Sequence, residues 1–217
     1  AKQPPAPTAT LDKIDDYMEL LYGSMKEKIS GTANIVELAR DASNLEILSS
    51  NNSLMSALAR VLKADYKHNI GLSTNIMYVW FSFSNFTQLH GVLTTRRIGS
   101  DTIKVIDLEI RRERLRQREL QTKTRIANIQ ARGGEVPEKL WEELAGRTSK
   151  GKDGVIDAGS KEDHPRIDIE RERKMTKHLI RKQDKLLFVC FHILLNLAED
   201  VTIEKKMVKK SISGYLT

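Results

Sequence analysis

A single cysteine, Cys190, stands among the 217 residues, so no intrachain disulfide can form. It lies inside an apolar run, where a thiol serves as a small buried hydrophobe, and an unpaired buried thiol is expected of a reducing, intracellular protein. Proline is nearly as scarce. Three of the five prolines (Pro4, Pro5, Pro7) fall in the opening stretch, which leaves the rest almost free of the strongest helix breaker. No apolar run reaches the roughly 18 residues of a membrane span, and no signal peptide is expected. The chain opens on Ala1 and its last segment stops mid-pattern, as expected of a piece of a longer protein.

Catalytic signatures are equally thin. The five histidines (His68, His90, His164, His178, His192) have no metal-ligand spacing, and one cysteine gives a structural zinc site no support. Residues 146–153 (GRTSKGKD) approach a phosphate-binding loop but end on Asp153, where a Ser or Thr hydroxyl should ligate magnesium. A carboxylate there repels phosphate and no apolar strand precedes it, so the stretch reads as a basic linker. The triplets at Asn51 and Asn85 match a glycosylation acceptor, a pattern frequent by chance, and are discounted. Carboxylates alternate with basic residues as on a solvated, salt-bridged helix face. No enzyme, cofactor, metal or small-molecule substrate is expected.

What is present is helical periodicity. Apolar residues make up 40% of the chain and charged residues 30%, with a net charge of +7 that favours acidic partners. Residues 1–10 are expected to be an extended, disordered lead. Helical spacing begins at Leu11, with Thr10 or Asp12 as its cap, and runs through Ile14, Met18, Leu21, Met25, Ile29, Ala33, Val36 and Ala39. A short helix follows at 44–50, then one at 54–64 capped by Ser53, then a longer one at 67–85. This last helix is apolar nearly all round and is expected to be buried.

The short, medium, long order then recurs. At an offset of 44 residues, Leu45 and Leu48 map to Leu89 and Val92, and Leu54, Ala59, Val61 and Leu62 map to Ile98, Ile103, Val105 and Ile106. A three-helix unit of about 40–47 residues is the armadillo period, and such units need a stacked neighbour to bury their apolar faces. The third helix of the second unit comes only at 186–198, and 201–216 opens as another unit would. Between them, 109–132 holds eight Arg or Lys against three Glu. Residues 133–170 are net acidic, and 171–185 are basic again. The reading is all-α: an armadillo-like helical solenoid (11–108, resuming at 186–217) with a long charged helical-hairpin insertion at 109–185, its loop near 146–165.

Two sets of residues are candidates for partner contact. An armadillo groove is lined by third helices, which places Thr74, Tyr78, Phe81 and Asn85 on one face and Lys185, Val189, His192 and Asn196 in matching positions. Asn85 and Asn196 end their helices; an amide both donates and accepts, so each can hold an extended peptide backbone, or can instead cap the helix or brace the next unit. Tyr78, Phe81, Asn85, His192 and Asn196 are the candidate groove residues. In the second set, Arg111, Arg112, Arg114, Arg116 and Arg118 lie on a basic helix able to track phosphates. Glutamates 109, 113 and 119 interrupt it, Glu119 and Lys123 are spaced as an i,i+4 pair, and no aromatic is there for base stacking. Protein contact is expected rather than nucleic-acid binding.

Three stretches, DDYMELLYGSMKEKISGTANIVELARDASNLEILSSNNSLMSALARVL (15–62), FSFSNFTQLHGVLTTRRIG (81–99) and LLNLAED (194–200), resemble kinesin-associated protein, the non-motor armadillo subunit of heterotrimeric kinesin-II. The similarity covers Ile14 to Ile110 and Lys185 to Ile212; the insertion resembles the family only in being a charged helical segment. The resemblance implies the first part of the repeat region of an adaptor without catalytic activity. Its partners would be the tails of the two motor chains and cargo proteins. Its setting would be the cytoplasm, the cytoskeleton and the cilium or flagellum, where intraflagellar transport builds those organelles. The rival readings are another armadillo peptide-binding scaffold and a nucleic-acid or microtubule-surface binder working through the basic helices.

Overall fold

The computed structural model describes residues 9–148 and 166–198. Most of the expected lead, most of the loop expected near 146–165, the end of the phosphate-loop-like stretch and the segment 201–216 lie outside the described residues; the first three residues of that loop, 146–148, belong instead to the end of a helix. Within them every regular element is helical: α1 (Ile14–Glu19), α2 (Met25–Ala39), α3 (Leu45–Ser50), α4 (Asn52–Asp65), α5 (Ile70–Ser84), α6 (His90–Thr95), α7 (Ile98–Ala131), α8 (Glu138–Thr148) and α9 (Ile169–Ala198).

Polar caps set the boundaries. Neither Thr10 nor Asp12 caps the start; Lys13 precedes α1 without a side-chain cap, and the Thr10 N–H donates instead to Tyr17 Oη at 3.3 Å. The first helical stretch divides at Gly23–Ser24. There Ser24 Oγ accepts from the Glu27 N–H, and Glu27 Oε2 accepts from the Ser24 N–H at 2.6 Å, a reciprocal capping box. Asn51, not Ser53, caps α4: its backbone is extended and its Oδ1 takes the Leu54 N–H at 3.0 Å, whereas Ser53 is already inside the helix. Asn69 does the same for Leu72 at 3.0 Å, so α5 starts three residues later than the spacing predicts.

The described residues fall into two compact units, one within Ala1–Glu109 and Lys182–Thr217, the other within Ile110–Arg181. In the first, α5 is the central helix, packed against α2, α4 and α6. Leu72, Ile76, Met77, Val79, Trp80 and Phe83 are at most 1% exposed, as expected of a helix apolar on most sides. Asn75 Nδ2 ties α5 to α2, donating to Ile29 O at 3.3 Å and Thr32 Oγ1 at 3.1 Å. Gly31 lets α2 approach α1 closely; a Cβ there would stand 2.7 Å from the Tyr17 carbonyl oxygen.

The repeat register needs one correction. The buried residues of α6 are His90 and Leu93, not Leu89 and Val92. They stand 45 positions from Leu45 and Leu48, while Leu54, Val61 and Leu62 keep the offset of 44 with buried Ile98, Val105 and Ile106. The turn before α7 absorbs the difference, with Arg97 in the left-handed region at φ 59°.

In the second unit, residues 110–131 of α7 and 169–181 of α9 run antiparallel. Lys123 Nζ sits between Glu119 at 2.7 Å, the expected i,i+4 partner, and Glu172 at 2.8 Å. Burial pulls Lys123 down, but its bonds to Glu119 and Glu172 and their charges outweigh that and hold it above the ordinary lysine value. The Ile167 N–H donates to Gln130 Oε1 at 3.0 Å, and Ile126 and Thr122 are buried. α7 ends in a Schellman motif: Gly133, at φ 67°, donates to Gln130 O, and Gly134 to Ile129 O.

Candidate partner-binding face

Two helices of the first unit build the first candidate face. The last turns of α5 bring Phe81 to the surface because the i and i+3/i+4 neighbours Trp80, Phe83 and Ser84 turn inward. The apolar half of α9 buries Leu186, Val189, Cys190, Ile193, Leu194 and Leu197, which leaves Phe188, His192 and Leu195, at i, i+4 and i+7, on the opposite side. Val189, expected on the candidate face, therefore belongs to the core, and Phe188 takes its level.

The structure brings four of the five candidate residues into contact. His192 stands edge-on to Phe81 with ring centroids 6.0 Å apart, and Phe188 packs against His192 with centroids 4.3 Å apart. Such ring pairs contribute about 0.5–1.5 kcal/mol each beyond the area they bury. A turn further on, Asn196 Nδ2 donates to Asn85 Oδ1 at 2.9 Å and to Ser84 Oγ at 3.0 Å. Tyr78 is half-buried on the same side of α5, one turn before Phe81, and joins none of these contacts.

Ser84, Phe188 and Leu195 are the residues sequence reasoning missed. Ser84 is 1% exposed; its hydroxyl donates to Phe81 O at 2.8 Å while accepting from Asn196, and its carbonyl accepts the His90 Nε2 proton at 2.7 Å. One serine thus links α9, α5 and α6. Phe188 and Leu195 are each 61% exposed, and their spacing with His192 was the available signal. Together these residues form an apolar, aromatic surface edged by an amide pair, a surface suited to holding a polypeptide by packing with backbone hydrogen bonds.

The second candidate set lies on the part of α7 in the second unit. Arg116 Nη2 is held by Glu113 Oε2 at 2.9 Å, while Arg114 and Arg118 are exposed. Arg111 is exposed and Arg112 half-buried, and both are also engaged within the protein. The glutamates that interrupt the run therefore offset part of its charge.

No cluster of three or more His, Cys, Asp or Glu side chains is placed to hold a metal ion among the described residues. Burial pushes the Cys190 thiol up, and the nearby Glu109 charge pushes it further, so the group is a neutral core side chain. No helix among the described residues is long and apolar enough to cross a membrane. No solved structure matches the chain. The kinesin-associated protein (KAP) family matches residues 3–217, nearly the whole sequence, and the chain belongs to that family.

Proposed function

We propose that this chain is part of a non-catalytic, armadillo-type adaptor that holds the tails of the two kinesin-II motor subunits and links them to cargo. The setting is microtubule-based transport in the cytoplasm and along the cytoskeleton, with intraflagellar transport and assembly of the cilium or flagellum as the process served. Family membership over residues 3–217 is the observation that carries this reading. The face formed by Phe81, Phe188, His192 and Leu195, edged by Asn85 and Asn196, is the proposed tail contact, with Tyr78 extending it along α5. It leaves two large apolar side chains 61% exposed beside polar groups able to pair with a peptide backbone. Arg111, Arg112, Arg114, Arg116 and Arg118 add electrostatic steering toward acidic partner segments, and the charged segment 109–185 is proposed as a helical-hairpin insertion in the repeat.

The test mixes the chain with the paired C-terminal tails of the two motor subunits and measures mass by size-exclusion chromatography with light scattering, at low and moderate salt. A stoichiometric complex that survives moderate salt supports the reading. A folded chain that gives no complex contradicts it.

A further inference from the structure

On the α4 side of the first unit lies a concentration of positive charge separate from the α5–α9 face. Two open cavities there, of 410 Å³ and 870 Å³, share Lys63 and Ala64 and so meet at Lys63. Lys67, His68 and Lys104 line the smaller; Arg60, Arg96 and Arg97 line the larger. Asp101 is the one carboxylate among the lining residues of either cavity.

How these cations are held sets them apart. Arg96 donates to Ser56 Oγ and Asn52 Oδ1, both at 2.8 Å, and the Arg60 guanidinium lies 4.3 Å from the centre of the Tyr22 ring. Those partners are neutral, so both guanidinium groups are fixed in position with their charge intact. Asp101, 4% exposed, is shared by Lys104 at 2.9 Å and Lys63 at 3.7 Å: one carboxylate against two ammonium groups. Elsewhere the pairing is different, since Lys28 has Asp65, Arg116 has Glu113 and Lys123 has two glutamates. The charge here is therefore positioned and set around depressions where field lines concentrate.

We propose that these joined cavities are a docking groove for an acidic peptide segment of a partner protein, its carboxylates seated either side of Lys63. The lysine pair on Asp101 already demonstrates the contact within the chain. Charge complementarity favours a polyanion, and the aromatic environment favours peptide over nucleic acid. Lys67 lies 5.6 Å from the centre of the Tyr66 ring, and Arg60 covers a face of Tyr22, so the rings that bases would stack on carry cations.

The test is fluorescence anisotropy of the full chain with a labelled peptide of alternating Glu and Gly, titrated across a range of salt. Neutralising the exposed cations Lys63, Lys67 and Arg97 together (each →Gln) is expected to weaken binding at least about tenfold and flatten its salt dependence. A charge-matched variant at the exposed Arg132, Lys139 and Lys177 (each →Gln), cations given no binding role, is expected to stay within about twofold of the parent. Circular dichroism checks that both keep their helix, and Lys67→Gln alone gives a smaller loss in the same direction. Absence of binding by the parent chain, equal losses in the two triple variants, or tighter binding of a single-stranded oligonucleotide than of the peptide each overturns the proposal. Motor tails are not used, so this outcome is independent of the adaptor test.

Discussion

Asn196, in the last turn of α9, donates from its side-chain amide to that of Asn85, at the end of α5, 2.9 Å away. The two helices end on amides that hold one another, and Ser84 takes the second amide proton at 3.0 Å. Bracing is therefore part of what these residues do. Among the described residues it leaves Oδ1 of Asn196 and Nδ2 of Asn85 without partners, an acceptor and a donor side by side. Bracing and peptide binding are thus compatible roles for the same pair.

Asn196→Ala removes both bonds and is expected to cost about 1–2 kcal/mol of stability, read by denaturant unfolding. Asn85→Ala removes one acceptor at an exposed position and is expected to cost less than about 1 kcal/mol. If the pair also binds peptide, tail affinity falls in both variants; a pure brace loses stability and keeps affinity.

Trp80 fills the centre of α5 with no exposed surface, and its indole N–H has no hydrogen-bond partner among the described residues. Trp80→Ala is expected to cost about 3–5 kcal/mol through the void it leaves. Trp80→Phe keeps most of the volume and removes the unpaired donor, so its cost is expected to stay below about 2 kcal/mol. Equal losses in the two would mean that the indole N–H is satisfied.

Much of the fold was legible because it rests on spacing. The helical periods through 14–39, 54–64 and 67–85 carried the core, and Trp80 and Phe83 proved fully buried as the apolar breadth of α5 predicts. The misplacements have local causes. Asn51 outcompetes Ser53 as a cap because its amide oxygen reaches Leu54 from an extended backbone. The α6 register shifts by one because the turn at Arg97 takes up a residue, which periodicity alone does not register. On the candidate face, Phe81 with His192 and Asn85 with Asn196 were within reach because each pair ends a helix of similar apolar pattern. Ser84 was not: its role depends on three helices meeting, a tertiary fact with no sequence period.

Gly31 offers a test of close packing. A methyl group there would meet the Tyr17 carbonyl oxygen at 2.7 Å and Leu20 Cβ at 2.9 Å. Gly31→Ala is expected to destabilise by about 1–3 kcal/mol, despite alanine's higher helix propensity, because the backbone oxygen cannot move without shifting α1. A neutral or stabilising result, measured by urea unfolding, would show that α1 yields freely.

Glu27 links stability to pH. The Ser24 side chain, then its backbone N–H, hold the Glu27 carboxyl below its ordinary value of 4.5. A lowered carboxylate pKa means that its stabilisation is present above that ordinary value and is lost as pH falls through the folded-state value. The difference in Tm between the parent and Glu27→Gln is expected to be largest near neutral pH and to shrink as the pH falls below 4.5. Thermal melts across that range check it; a constant difference would assign the effect to shape rather than charge.

The most direct measurement of the adaptor reading is the affinity of the paired kinesin-II motor tails for the chain and for a variant with Phe188→Ala and Leu195→Ala, by isothermal titration calorimetry. Both side chains are 61% exposed, so fold and Tm are expected to hold while Kd rises at least about tenfold, the loss of apolar anchors at an interface centre. An unchanged Kd in a folded variant would contradict the assignment of this face to the motor tails.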